Sequence, residues 1–299
     1  MADATSTGAI AVARWSPERG WFVEHADSLD AGAGRIRSEQ PRLHYTLSTY
    51  AGNAVLDALL NNTALQKSAY ASLHSADPGL IGSSELSGNG YTRPAGAMTF
   101  GAPTGGVTDN TVASQFPTAS GDWLQATYFG AFDAATVGNF LGSGSLTTPQ
   151  TILVGEYGEF AIGAFDISIN TAFGTDMLAN IVNALFRNTS LAVAMPYLSL
   201  HSADPAGTGA NELADANGYA RGAVSYGAAA AKSCSNDAIT DLGPASGINW
   251  ATATYIGLWT SGTYGAGTFI FGKQLTTPRT VQVGKKFRLE VGGLTVTIT

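Results

Sequence analysis

The sequence predicts a mainly β protein: two tandem antiparallel β-sandwich domains of Greek-key or jelly-roll type, each preceded by one short helix, behind an extended N-terminal arm. Three observations predict it. The 299-residue chain repeats itself once, its apolar residues change from helical to alternating spacing inside each copy, and 37 glycines punctuate short strands without any βαβ rhythm.

The repeat is direct. YASLHSADP begins at Tyr70 and YLSLHSADP at Tyr197, an offset of 127 residues. Glu85 then matches Glu212, Gly-Tyr-Thr-Arg ending at Arg93 matches Gly-Tyr-Ala-Arg ending at Arg221, and Trp123 matches Trp250. From Leu146 and Leu275 onward the copies align without gaps at an offset of 129. So many landmarks in one order indicate duplication. The expected division is an arm over 1–46, one domain over 47–170 and a second over 171–299.

The arm lies outside the repeat. Its tryptophans Trp15 and Trp21 and its cations Arg35 and Arg37 stand on a segment of low periodicity, which suggests docking on a partner. Each copy then opens with a helix: Val55, Leu56, Leu59 and Leu60, and Leu178, Ile181, Val182 and Leu185, fall at helical spacing. Asn62 and Asn188 follow these runs, where asparagine tolerates the left-handed conformation that closes a helix. This accounts for the Asn61 and Asn188 sequons without glycans.

The period then becomes two. Leu198 and Leu200 alternate with Tyr197, Ser199 and His201, as Ala71 and Leu73 do with Tyr70, Ser72 and His74, predicting a half-buried strand. Asp77-Pro78 and Asp204-Pro205 supply a turn. Further strands are expected over 90–100, 123–129, 151–154 and 165–169, with counterparts in the second copy.

Composition narrows the function. Net charge is −7, which argues against a nucleic-acid grip. Residues 47–170 carry nine acids against Lys67 and Arg93, net −7, while residues 171–299 carry seven acids against eight bases, net +1. The two halves therefore cannot face the same electrostatic surroundings: the acidic first domain is expected toward solvent and the near-neutral second nearer whatever the protein docks on. One cysteine and four scattered histidines disfavour a zinc site, and no cofactor or metal is expected. The N-terminus lacks a basic n-region and nowhere do eighteen apolar residues run together, so a soluble protein made in the cytoplasm is expected, with no membrane partner.

Chemistry is sparse. His74 with Asp77, and His201 with Asp204, could be a base and its orienter, but no nucleophile elbow accompanies them, and a histidine beside an Asp-Pro turn more often braces it. Glu156 and Glu159 could form a glycosidase pair, yet their aligned partners are Lys285 and Arg288, so no shared hydrolytic site exists. Asp215-x-Asn217-Gly218 opens like a calcium loop, but Tyr226 occupies the closing position. Gly32-Ala33-Gly34 lacks the third glycine of a dinucleotide fingerprint. Trp123 and Trp250 read as core anchors. A non-enzymatic chain follows.

The stretches LHSADPGLIGSSELSGNGYTRPAGAMTF and LHSADPAGTGANELADANGYARGAVSYG resemble a module of tailed-bacteriophage virion proteins whose signature runs LHTADPG, GANE, GYAR and an aromatic. His74, Asp77, Pro78, Tyr91 and Arg93, and His201, Asp204, Pro205, Tyr219 and Arg221, carry the resemblance; only the second copy keeps Gly-Ala-Asn-Glu, at 209–212. The resemblance implies a virion structural role and brings no catalytic residue. The expected function is a capsid decoration or cement protein bridging neighbouring capsid subunits as a homo-oligomer, with a trimer as one order, assembled in the host cytoplasm and partnered by the major capsid protein or other virion proteins. The alternatives are a tail or tail-fibre protein and a glycan-binding or glycan-degrading virion protein.

Overall fold

The computed structural model describes residues 11–16, 20–25, 35–36, 45–169 and 172–298. Among them the chain is mainly β, in several antiparallel sheets, with two helices and two tandem domains of like topology. Residues 1–33 form one compact unit and residues 34–299 another. In the first, Ala11–Ser16 and Gly20–His25 pair as an antiparallel hairpin with Trp15 opposite Trp21. The N-terminal segment is thus partly a β-ribbon and not a wholly extended arm: the runs Ala-Val-Ala-Arg-Trp and Trp-Phe-Val are strand formers, separated by Pro17 and Gly20. Arg35–Ile36 runs parallel to Glu159–Phe160. Arg37 lies outside the described residues.

Helix α1, Thr49–Leu60, starts because Ser48 accepts the Ala51 N–H at 2.9 Å; α2, Thr175–Phe186, starts at Gly174 without a side-chain cap. Both stop as the spacing predicts, with Asn62 at φ 53° and Asn188 at φ 54°. Val55, Leu56 and Leu59, and Ile181, Val182 and Leu185, are buried.

Each domain has one four-stranded sheet. The order is Thr46–Leu47, Phe140–Gln150, Ala126–Phe132, Tyr70–His74 in the first, and Gly222–Ala223, Tyr197–His201, Ala253–Trp259, Phe269–Arg279 in the second. Short ribbons form the opposing layer. Val107–Asp109 pairs with Asp166–Ser168 and Ser114–Gln115 with Glu159–Phe160; their counterparts are Ser233–Ser235 with Thr295–Thr297 and Thr240–Leu242 with Phe287–Leu289. Phe129 of the first sheet meets Phe160 of one ribbon and Phe165, which leads into the other, at ring-centroid distances of 6.0 and 4.7 Å, closing the sandwich.

Two local expectations are corrected, and one strand is found that the sequence reading did not offer. Tyr70–His74 and Tyr197–His201 are buried on both faces beyond their first residue, not half-buried. Residues 90–99 and 151–154 are irregular, and Phe100 makes only an isolated bridge to Asn110. The longest strand of the first sheet, Phe140–Gln150, falls in a Gly-Ser-Gly-Ser run that resembles a turn. Its glycine serves packing: a Cβ on Gly144 would stand 2.6 Å from the Phe129 ring.

The domains share one hydrophobic core. Helix α1 packs on Phe140–Gln150 of its own domain and on Ser233–Ser235 of the other; α2 packs on Phe269–Arg279 of its own and on Val107–Asp109 of the first. The junction is reciprocal. Leu65 and Leu191, equivalent residues of the two copies, exchange two backbone hydrogen bonds of 2.9 Å, and flanking them Lys67 N–H donates to Ala184 (2.7 Å) while Val193 N–H donates to Ala58 (2.8 Å). Such self-complementary pairing is what a two-fold interface between identical subunits would show, here within one chain.

Candidate functional site

The signature residues converge on one buried polar clasp per domain. It begins on the strand that carries the histidine. Ser72 and His74 are 0% exposed, as are Ser199 and His201. His74 Nε2 lies 2.9 Å from Ser72 Oγ and Nδ1 lies 2.8 Å from the Ser83 carbonyl; in the second copy the distances are 2.8 Å to Ser199 and 2.7 Å to Ala210. A carbonyl accepts only, so Nδ1 carries the proton and Nε2 accepts from serine. Burial holds both histidine pKa values below their ordinary range, against the raising effect of those carbonyls. The space is made by glycine: a Cβ on Gly130 or Gly257 would stand 2.9 or 2.5 Å from the histidine Nε2.

The loop after the strand folds back through its proline. Pro78 and Pro205 carbonyls accept N–H groups from Ser83 (3.0 Å) and Ala210 (2.9 Å). Asp77 does not reach His74; it accepts the Gly79 N–H at 2.8 Å, and Asp204 accepts that of Ala206 at 2.8 Å. These are Asx turns.

Glu85 and Glu212 complete the clasp. Arg93 grips Glu85 through Nε at 2.8 Å and Nη2 at 2.6 Å, and Arg221 grips Glu212 at 2.8 and 2.7 Å. Tyr91 and Tyr219 donate to the same carboxylates at 3.2 and 3.0 Å and accept the backbone N–H of Leu73 and Leu200 at 2.9 and 3.0 Å. Burial pushes both tyrosine hydroxyls far above the ordinary phenol range, so they remain donors. The arginines also tie down a distant hairpin: Arg93 Nη1 donates to Ala134 (3.0 Å) and Val137 (2.6 Å), and Arg221 Nη1 to Ser261 (2.9 Å), Thr263 (3.1 Å) and Ala266 (2.9 Å). Each guanidinium covers an aromatic ring, Phe132 or Trp259.

Trp123 and Trp250 are buried, donate through Nε1 to the carbonyls of Asn89 and Asn217 at 2.9 Å each, and meet Tyr91 and Tyr219 edge-on. Sequence reasoning missed Ser72 and Ser199 and a pair of buried asparagines. Asn110 donates to Val112 and Ala161 and accepts from Phe165; Asn236 donates to Ala238 and Glu290 and accepts from Leu294. Their recurrence at an offset of 126 was the available signal.

As chemistry, the clasp is closed. Its serines and histidines have no solvent face, its histidine lacks the aspartate, and its carboxylates are held by arginine. Glu156 accepts the Leu153 N–H at 2.9 Å, whereas its counterpart in the second copy is a lysine. Asn217 and Gly218 form a turn with φ of 54° and 78°. Among the described residues, no three His, Cys, Asp or Glu side chains gather as a metal site would require, and no helix is long and apolar enough to cross a membrane. Trp15 and Trp21 lie on the N-terminal hairpin, apart in sequence from the clasp.

Against known families, a model described as podophage GP4 fiber I protein gp80 matches the chain twice, over residues 46–168 and 173–297. No curated protein matches the chain.

Two outcomes are expected. Arg221→Met strands Glu212 in a site where the two side chains are 1% and 6% exposed, and should cost about 3–5 kcal/mol in urea unfolding. Arg93→Met should cost less, because Glu85 is 22% exposed and water can reach it. Equal, sub-kcal losses would contradict the clasp. The histidines give a pH signature. Their folded pKa values are depressed from 6.5, so their contribution is full above that unfolded value and is lost as pH falls through the depressed folded values. Urea midpoints should fall as pH is lowered below 6.5, and less so in His201→Gln; a wild-type midpoint that stays flat would be the contrary result.

Proposed function

Since the chain belongs to the family described as podophage GP4 fiber I protein gp80, in two tandem copies of the matched region, we propose that it is a non-enzymatic structural protein of a phage virion, placed in a tail fibre. The double match carries the reading. It favours the second of the placements the sequence suggested, a tail or tail-fibre protein. The placement put first, a capsid decoration or cement protein, finds no support in it and is set aside.

The clasp supports the non-enzymatic part. All the recurring polar side chains of the signature are consumed by bonds within their own domain, which suits a module selected for rigidity. Pairing two such modules through a shared core gives a stiff unit, as a fibre component requires. Its partners on this reading are other virion proteins and further copies of itself, and the N-terminal segment with Trp15 and Trp21 is the candidate attachment point.

Immunogold labelling of intact particles with antibody raised against residues 173–297 tests the placement. Gold should collect at the tail. Gold spread evenly over the shell would reinstate the decoration reading, and particles that remain unlabelled, with no peptide of this chain in their mass spectrum, would remove the virion role.

A further inference from the structure

Duplication provides an internal control, because a surface feature present in one copy and reversed in the other is not demanded by the fold. One such feature stands out. In the second domain, a groove of about 310 Å³ is lined by Arg279, Thr280, Gln282, Lys285, Lys286 and Arg288. All four cations are exposed. Asp241 is the acid that answers them, bonded to Arg288 at 2.7 Å and near Lys286 at 3.4 Å, and those cations hold its carboxyl at about 2.

The gapless alignment puts Gln150, Glu156, Tyr157 and Glu159 at the same places in the first domain. The backbone there is the same. Asp122 accepts the Val154 N–H at 2.9 Å, and Asn249, its counterpart, accepts that of Val283 at 3.0 Å. Between the copies, then, Asp becomes Asn, Glu becomes Lys and Glu becomes Arg on one conserved frame, and the domains around them differ in the same sense, −7 against +1.

We propose that the cationic groove of the second domain docks on the acidic surface of the first domain of another copy of this chain, around the exposed Asp122 and the half-buried Glu156. On the strand paired beside this edge, residue 35 is an arginine in backbone register with Glu159. The corresponding edge, Phe287–Leu289, pairs only with Thr240–Leu242 among the described strands. A contact of groove with groove would oppose like charges, so a two-fold dimer through this patch is disfavoured. Acid against cation leaves one unused surface of each kind on every pair, so the contact propagates into a chain or closes as a ring. The groove offers no exposed aromatic ring for a nucleic-acid base, Phe287 being buried. The inference concerns the purified protein and does not depend on where it sits in a virion.

Sedimentation of the full chain over a concentration series tests it. Association is expected at low salt and should weaken roughly tenfold or more at about 0.5 M salt, where screening is nearly complete over a few ångströms. Arg279→Glu with Lys285→Glu should abolish it while leaving the Asp241 pairs intact. Asp122→Asn with Glu156→Lys, the residues the second copy carries, should abolish it as well. Mixing the two double variants should restore association, because one supplies the acidic surface and the other the groove, and restoration also shows that both are folded. The proposal is overturned if the wild type stays monomeric at every salt concentration, binds added polyanion without self-associating, or associates equally well with either variant; if mixing fails, loss of association by Arg279→Gln with Lys285→Gln at an unchanged Tm still sustains it, and retention overturns it.

Discussion

An ionised glutamate and arginine placed beneath the surface of a small β domain have to be satisfied on every side, and the architecture of each copy follows from that requirement. Glu85 and Glu212 are each bound by an arginine and a tyrosine; the arginine is then bound by carbonyls from a hairpin some forty residues further on, and the tyrosine by a backbone N–H of the histidine strand. The loop between the histidine and the arginine can take few shapes that keep all these partners. Buried ion pairs add little net stability compared with apolar packing, but they disfavour alternatives in which one partner is left alone. The second copy encloses its pair more completely, with three carbonyls on Arg221 Nη1 where Arg93 Nη1 has two.

That local rigidity permits the second device, the reciprocal junction. Each helix covers its own sheet and a ribbon of the other copy, and Leu65 and Leu191 sit at the point where the exchange is symmetric. Neither domain buries its helix alone. With fold and junction fixed by buried residues, the outer surface is free to diverge, and at one face it has diverged in charge. The segment 279–288 is cationic where 150–159 is neutral and acidic, although the strands beneath them pair alike.

Much of this was legible in the residues. The duplication was visible because the clasp tolerates so little change, and the helices were visible from their apolar stripes and closing asparagines. The strand Phe140–Gln150 was not, since glycines that make room for the Phe129 ring spell the same letters as a flexible turn. The span 90–100 misled in the opposite direction: Met98 and Phe100 flank Thr99 at the spacing of a strand, yet the backbone over 91–99 is irregular, with a bend at Ala95-Gly96 just after the arginine. His74 and Asp77 are neighbours in sequence and not in bonding. The true partners of the clasp lie between two and more than forty residues apart, so the conserved spelling marked the site without disclosing who touches whom. Position in the particle was beyond reach of spacing or charge, and the family match supplied the direction.

Amide hydrogen exchange at Leu73 and Leu200 addresses the central claim most directly, since these two N–H groups donate to Tyr91 and Tyr219 at the heart of each clasp. If the clasps hold their domains and the domains share a core, both amides should exchange only by global unfolding and report the same opening free energy. Exchange of either amide at the rate of the surrounding loops, or two clearly different opening energies, would mean that the clasp is peripheral or that the copies stand alone.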